Sequence, residues 1–101
     1  MRSIRYLNSG NIELVNILLA CRCVSDRDSL ETALRLLDQE FPGIVSRIPR
    51  RSVTIEYVAE IVNTCENYPG SFRVFGEILM YIEGDSMNVQ QLERFIQEHD
   101  L

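Results

Sequence analysis

Three breaks set the grain of this chain: Pro42-Gly43, Pro69-Gly70 and Gly84-Asp85-Ser86 divide its 101 residues into four stretches, the first long enough for two helices and the last two of single-helix length. Proline has no N–H to continue a helix and glycine accepts the positive φ just past a helix end, so each break is a stop signal with a mechanism. Between the breaks, apolar side chains recur at three and four residues, the spacing that places them on one face of an α-helix.

The periods can be followed in order. Ile12, Val15, Leu18 and Leu19, widened by Leu14 and Ile17, predict a first helix from Asn11 to about Ala20, capped by Asn8, Ser9 or Asn11. Ser25-Asp26-Arg27-Asp28 reads as a turn, and Asp28-Ser29-Leu30-Glu31 matches the reciprocal capping pattern in which cap and glutamate satisfy orphan amides. Leu30, Ala33, Leu34, Leu37 and Phe41 carry a second helix to Pro42-Gly43, leaving Glu31, Arg35, Asp38 and Gln39 to face water. Ile44 to Ser52 contains Pro49 and the arginines 47, 50 and 51, which suits a connector with one helical turn at most.

Ser52 or Thr54 is placed to cap a third helix, with Ile55, Val58, Ala59, Ile61, Val62 and Cys65 inward and Glu56, Glu60, Asn63 and Glu66 outward. Its β-branched content also suits a strand, but the acidic residues do not alternate as a half-buried strand requires. Ser71 is expected to cap a fourth helix through Phe72, Phe75, Ile78, Leu79 and Ile82 up to Gly84, with Gly76 marking close packing. Ser86 begins a fifth, with Val89, Leu92, Phe95, Ile96 and Met87 buried, ending near Glu98. The expected fold is all-α, a compact bundle of about five helices, with residues 1–10 a short lead-in and 11–101 a single domain. A chain of this length supports one hydrophobic core and not two.

The chemistry available to such a bundle is narrow. All ten basic residues are arginine, which excludes lysine Schiff-base or phosphate-loop chemistry. The single histidine, His99, lies two residues from the end with no nucleophile spaced around it, and no catalytic residue is expected. Cys21, Cys23 and Cys65 form an odd set without a fourth ligand nearby, so buried free thiols are expected, with no metal and no cofactor. Ten basic against fifteen acidic groups is the wrong sign for a nucleic-acid footprint, and a helix-turn-helix across Glu83-Gly84-Asp85-Ser86 would present an acidic recognition helix. No apolar run approaches the ~20 residues a bilayer span requires. No membrane partner is expected, and the location expected is the cytoplasm.

Charge is unevenly spread. Residues 1–52 carry net +2 and residues 53–101 net −7. Like-charge blocks are often plain solvated faces, but they also suit docking, because guanidinium forks pair well with carboxylates. The candidate contact is Arg47, Arg50 and Arg51, with an apolar centre such as Ile48 or Tyr68, on one copy against Glu83, Asp85 or nearby carboxylates on another, giving a weak, salt-sensitive homo-oligomer. A small regulatory domain binding a ligand or metal through the cysteines, or a plain structural subunit, are the alternatives.

Taken together, Leu14-Val15 with Leu18-Leu19, Cys23-Val24-Ser25-Asp26, Ile48-Pro49-Arg50, Cys65 before Tyr68-Pro69-Gly70, and Glu83-Gly84-Asp85-Ser86 resemble the type-two effector-associated domain over about residues 11–98. Ser71 departs from the second glycine often found there, and Arg27 and Ser29 stand where the family tends to carry a basic residue. That family comprises small helical adaptor domains of bacterial conflict systems, regarded as death-like. The resemblance implies a non-catalytic domain at the end of a longer protein. Such a domain docks with another effector-associated domain, on the same or a different chain, to couple an effector to its trigger in immunity signalling.

Overall fold

The computed structural model describes residues 9–84 and 86–99, and of the first three of these the backbone alone. Among them the fold is all-helical, without strands: α1 Ser9–Ala20, α2 Arg22–Ser25, α3 Arg27–Glu40, α4 Thr54–Cys65, α5 Ser71–Glu83 and α6 Met87–Glu98, with a 3-10 turn at Val45–Arg47. Asn8, the side chains of Ser9 and Asn11 and most of the lead-in lie outside what is described; the backbone of α1 begins at Ser9 rather than Asn11, which places Asn11 inside the helix instead of at its cap.

One helix more is present than the periods predict. Cys21–Ser25 winds into the single turn of α2, too short to show a period, and buries Cys23 and Val24. Asp26 then stands at the cap of α3, two residues before the cap expected at Asp28, and Ser29 Oγ donates to its carboxylate at 2.7 Å.

α1 lies on α4 and α6, α5 on α3 and α6, and α2 is wedged against α1, α3 and α5. A single core results. Leu18, Leu34, Leu37, Val58, Ile61, Val62, Phe75, Leu79 and Leu92 are buried in it as the periods require, while Ile78 is partly buried against it. Fully burying a side chain of this size contributes roughly 1.5–3 kcal/mol over leaving it exposed, so this cluster dominates the stability. Three side chains expected inside are outside: Ile12, Ile55 and Met87 are all exposed. Ile12 and Ile55 belong to stripes wider than one neighbouring helix can cover, and Met87 opens α6 ahead of its first buried turn.

The breaks behave as the sequence requires. Gly84 ends α5 with φ 89°, its N–H donating to Met80 O at 2.8 Å, and Ser86 caps α6 by accepting from Val89 N at 3.2 Å. Gly70, at φ 85°, occupies the cap position of α5. Ser71 is therefore not a cap; its fully buried hydroxyl donates to Cys65 O at 2.9 Å and ties the start of α5 to the end of α4. Neither Ser52 nor Thr54 caps α4, since Val53 holds that position without a side-chain bond. Gly76 does mark close packing: a Cβ there would stand 3.0 Å from Ile96 Cδ1 of α6.

Candidate docking surface

The connector between α3 and α4 is folded into the body rather than looped away from it. Asp38, expected to face water, accepts from the Gly43 and Val45 amides at 3.1 and 3.2 Å, which turns the chain under the end of α3. Ile44 and Ile48, four residues apart, then enter the core. Ile48 is thus unavailable as the apolar centre of a contact, whereas Tyr68, the other side chain expected there, is only partly buried. The connector next runs along α4, where Thr64 Oγ1 donates to Arg47 O at 3.5 Å.

Two of the connector's arginines are engaged within the chain. Arg50 forms a two-pronged pair with Glu31 of α3, Nη1 and Nη2 lying 3.3 and 3.1 Å from its two oxygens. Arg51 grips Glu60 Oε2 of α4 through Nε at 3.1 Å and Nη2 at 2.8 Å. Glu60 was expected to face water; it is instead buried, because the returning connector covers that side of α4. Arg27 donates to Arg51 O and sits 3.8 Å from Glu31.

At the centre of this cluster stands Tyr57, which the sequence reading passed over. Its ring is fully buried, with the Arg27 guanidinium 4.5 Å and that of Arg50 5.5 Å from its centroid. Burial, then the Glu31 charge, raise its phenol above the ordinary value, against the opposing pull of Arg50 and Arg27. The hydrogen bond to Glu31 is the main cause holding the Arg50 guanidinium above its own ordinary value. The signal for Tyr57 was in the sequence, since it lies one turn before Ile61 and two before Cys65. Arg47 differs from its neighbours: it is exposed and has no ion-pair partner among the described residues.

Glu83, the expected acidic contact, is also committed internally. It accepts from Cys23 N at 3.1 Å and from Ser86 Oγ at 2.6 Å, locking α2 to the α5–α6 turn. Burial pushes its carboxyl up, but the hydrogen bonds from Ser86 and from the Cys23 and Arg22 amides outweigh it and hold the group below its ordinary range. Asp85 lies outside the described residues. The basic connector and the acidic turn are therefore present, but most of the side chains assigned to docking stabilise the fold.

The remaining chemistry-bearing groups are packed away. Cys21, Cys23 and Cys65 are buried free thiols. Burial, with Glu83 adding to it, pushes Cys21 up to about 11 and Cys23 up to about 12. Burial likewise takes Cys65 up to about 11. Thiols held protonated in this way are poor nucleophiles and poor metal ligands. Among the described residues no group of three or more His, Cys, Asp or Glu could hold a metal ion, and no helix is long and apolar enough to cross a membrane. His99 stacks on Phe95 with centroids 4.0 Å apart, its Nδ1 3.0 Å from Phe95 O.

Fold and surface together define a small all-α domain whose exposed features are charged and apolar side chains around a tightly tied connector. A family model described as Effector-associated domain 2 matches residues 15–97, and the chain belongs to that family. No curated protein and no solved structure matches it.

Proposed function

We propose that this chain is a non-catalytic adaptor domain that couples an effector of a bacterial conflict system to its trigger by docking with another effector-associated domain in a death-like manner. The family match over residues 15–97 is the observation that carries this reading. The architecture supports it: Arg50, Arg51, Glu31, Glu60 and Glu83 are used to hold the shape of a rigid body. A rigid surface loses little freedom on association, which favours binding. The charge division, +2 against −7 between the two parts of the chain, favours partners of complementary sign and a salt-dependent rate of encounter.

On this reading the partner-facing part of the connector is Arg47, with Arg50 and Arg51 acting mainly as struts. The test is a binding screen of the purified chain against the effector-associated domains encoded in the same genome, itself included. Saturable association with at least one of them is expected. Binding to none of them contradicts the proposal.

A further inference from the structure

Tyr57 is fully buried, yet part of its cover consists of surface arginines. The guanidinium carbons of Arg27 and Arg50 lie 4.5 and 5.5 Å from its ring centroid, and those two side chains are themselves 35% and 65% exposed. Glu31 holds both: its Oε2 is 3.8 Å from Arg27 Nε, and its two oxygens accept the fork of Arg50. Arg27 also donates to Arg51 O, and the chain there is pinned by the pair of Arg51 with Glu60. Residues 49–53, from which Arg50 extends, are all exposed, so no buried side chain fixes that stretch. Beneath the cover, the Tyr57 hydroxyl and Arg27 Nε are shut off from solvent with no hydrogen-bond partner among the described residues.

We propose that the Arg27 and Arg50 side chains form a lid over Tyr57, latched by Glu31, and that this lid opens as salt screens the latch while the helices keep their places. The forces that close it are of a weak kind: exposed ion pairs contribute little and fade with ionic strength, and cation–π contacts near the surface are electrostatic too. What the closed lid buries is costly, since a polar group shut from water without a partner bears its full desolvation penalty. Both the hydroxyl and Arg27 Nε regain water on opening. Against opening stands the apolar part of the ring, which keeps the lid closed at low salt. Glu31 is the position on which the balance turns, because one carboxylate serves both arginines. Closed, this face shows paired charges. Open, it shows a tyrosine beside two released guanidinium groups, and tyrosine and arginine are residue types enriched at the centres of interfaces. The inference goes beyond the docking function above and does not depend on it.

Photochemically induced nuclear polarisation reads the lid directly, because a flavin dye polarises a tyrosine whose phenol it can reach and leaves a covered one silent. Tyr81, 84% exposed, serves as the reference within the same chain. In the wild type the Tyr57 signal relative to that of Tyr81 should be weak at low salt and rise at least about threefold by about 0.5 M sodium chloride, with unchanged circular dichroism. Glu31→Gln keeps the shape of the latch and removes its charge. It should show at low salt the Tyr57 signal that the wild type reaches only at high salt, again with the helices intact. Tyr57→Phe should have a urea midpoint no lower than the wild type, since the hydroxyl it removes has no hydrogen-bond partner among the described residues. A Tyr57 signal that stays absent at high salt and in Glu31→Gln, appearing only at the urea concentration that unfolds the helices, overturns the lid. A Tyr57→Phe midpoint below the wild type means that the closed lid satisfies the hydroxyl, and overturns it equally. Either failure leaves the docking function standing.

Discussion

At the scale of single residues, arginines adjacent in sequence have different duties. Arg50 pairs with Glu31 at the surface, whereas Arg51 pairs with a buried Glu60. Exposed ion pairs contribute little, but a buried carboxylate stripped of its partner bears a desolvation cost. Arg51→Glu should therefore lower stability by about 1–3 kcal/mol, the lower end applying because the Arg51 side chain is about half exposed. Arg50→Glu should leave the urea midpoint almost unchanged. Equal midpoints for the two variants would mean that Glu60 does not depend on Arg51.

The thiols and Glu83 make the pH response two-sided. Thiols whose folded values lie near 11–12 against an ordinary 9.0 stabilise the fold fully below pH 9, and this contribution is lost as the pH rises through the folded values. Glu83, shifted down, contributes above the ordinary carboxylate range and loses that contribution as the pH falls through its lowered value. Thermal midpoints across pH should hold a plateau between these limits. Native protein at neutral pH should react slowly with a thiol reagent and release all three thiols on unfolding. Rapid labelling of Cys23 in the folded chain would show that α2 opens readily.

At the scale of elements, legibility followed length and the number of neighbours. α3, α5 and α6 each bury one stripe, and their apolar positions could be read directly; the Gly84 stop and the Ser86 cap came with them. α2 was invisible because one turn has no period, and its burial depends on contacts with three other helices. α4 misled at Tyr57 and Glu60, since a helix covered by α1 on one side and by the returning connector on another buries more than its apolar stripe. The same return explains why the residues expected to dock are spent inside the fold: nothing local shows that Ile48 enters the core, or that Arg50 and Arg51 meet carboxylates 19 and 9 residues away.

Gly84 gives the element scale its test. With φ 89° and open space where a Cβ would stand, any cost of substitution comes from the backbone. Gly84→Val should cost on the order of 1–3 kcal/mol, because φ 89° with ψ −166° is a region that residues with a side chain hardly enter. A thermal midpoint equal to wild type would mean the turn relaxes freely. Gly76→Ala differs in kind, because its Cβ would stand 3.0 Å from Ile96 Cδ1 and that methyl would have to give by a few tenths of an ångström.

For the whole molecule, one core couples the six α-helices of the described residues, so damage at one end should be felt throughout. Leu37 and Leu79 are fully buried on α3 and α5, which pack on each other. Either truncation to alanine should cost about 2–5 kcal/mol. Urea unfolding should remain a single transition, as expected of a domain this small. The bundle, its core and its family resemblance were legible because they rest on periods and turns; the pairing of the connector's charges was not, because it is decided only when the connector closes on α3 and α4.

The central claim is that this rigid bundle is a docking domain, and the most direct measurement is a titration of the isotope-labelled chain with unlabelled effector-associated domains, its own copies included, followed by amide chemical shifts. Saturable shifts confined to one face of the domain and including the vicinity of Arg47 are predicted, with core amides such as those of Leu34, Leu37 and Val62 unmoved and the response weakened by salt. A spectrum unchanged by every such domain would contradict the claim.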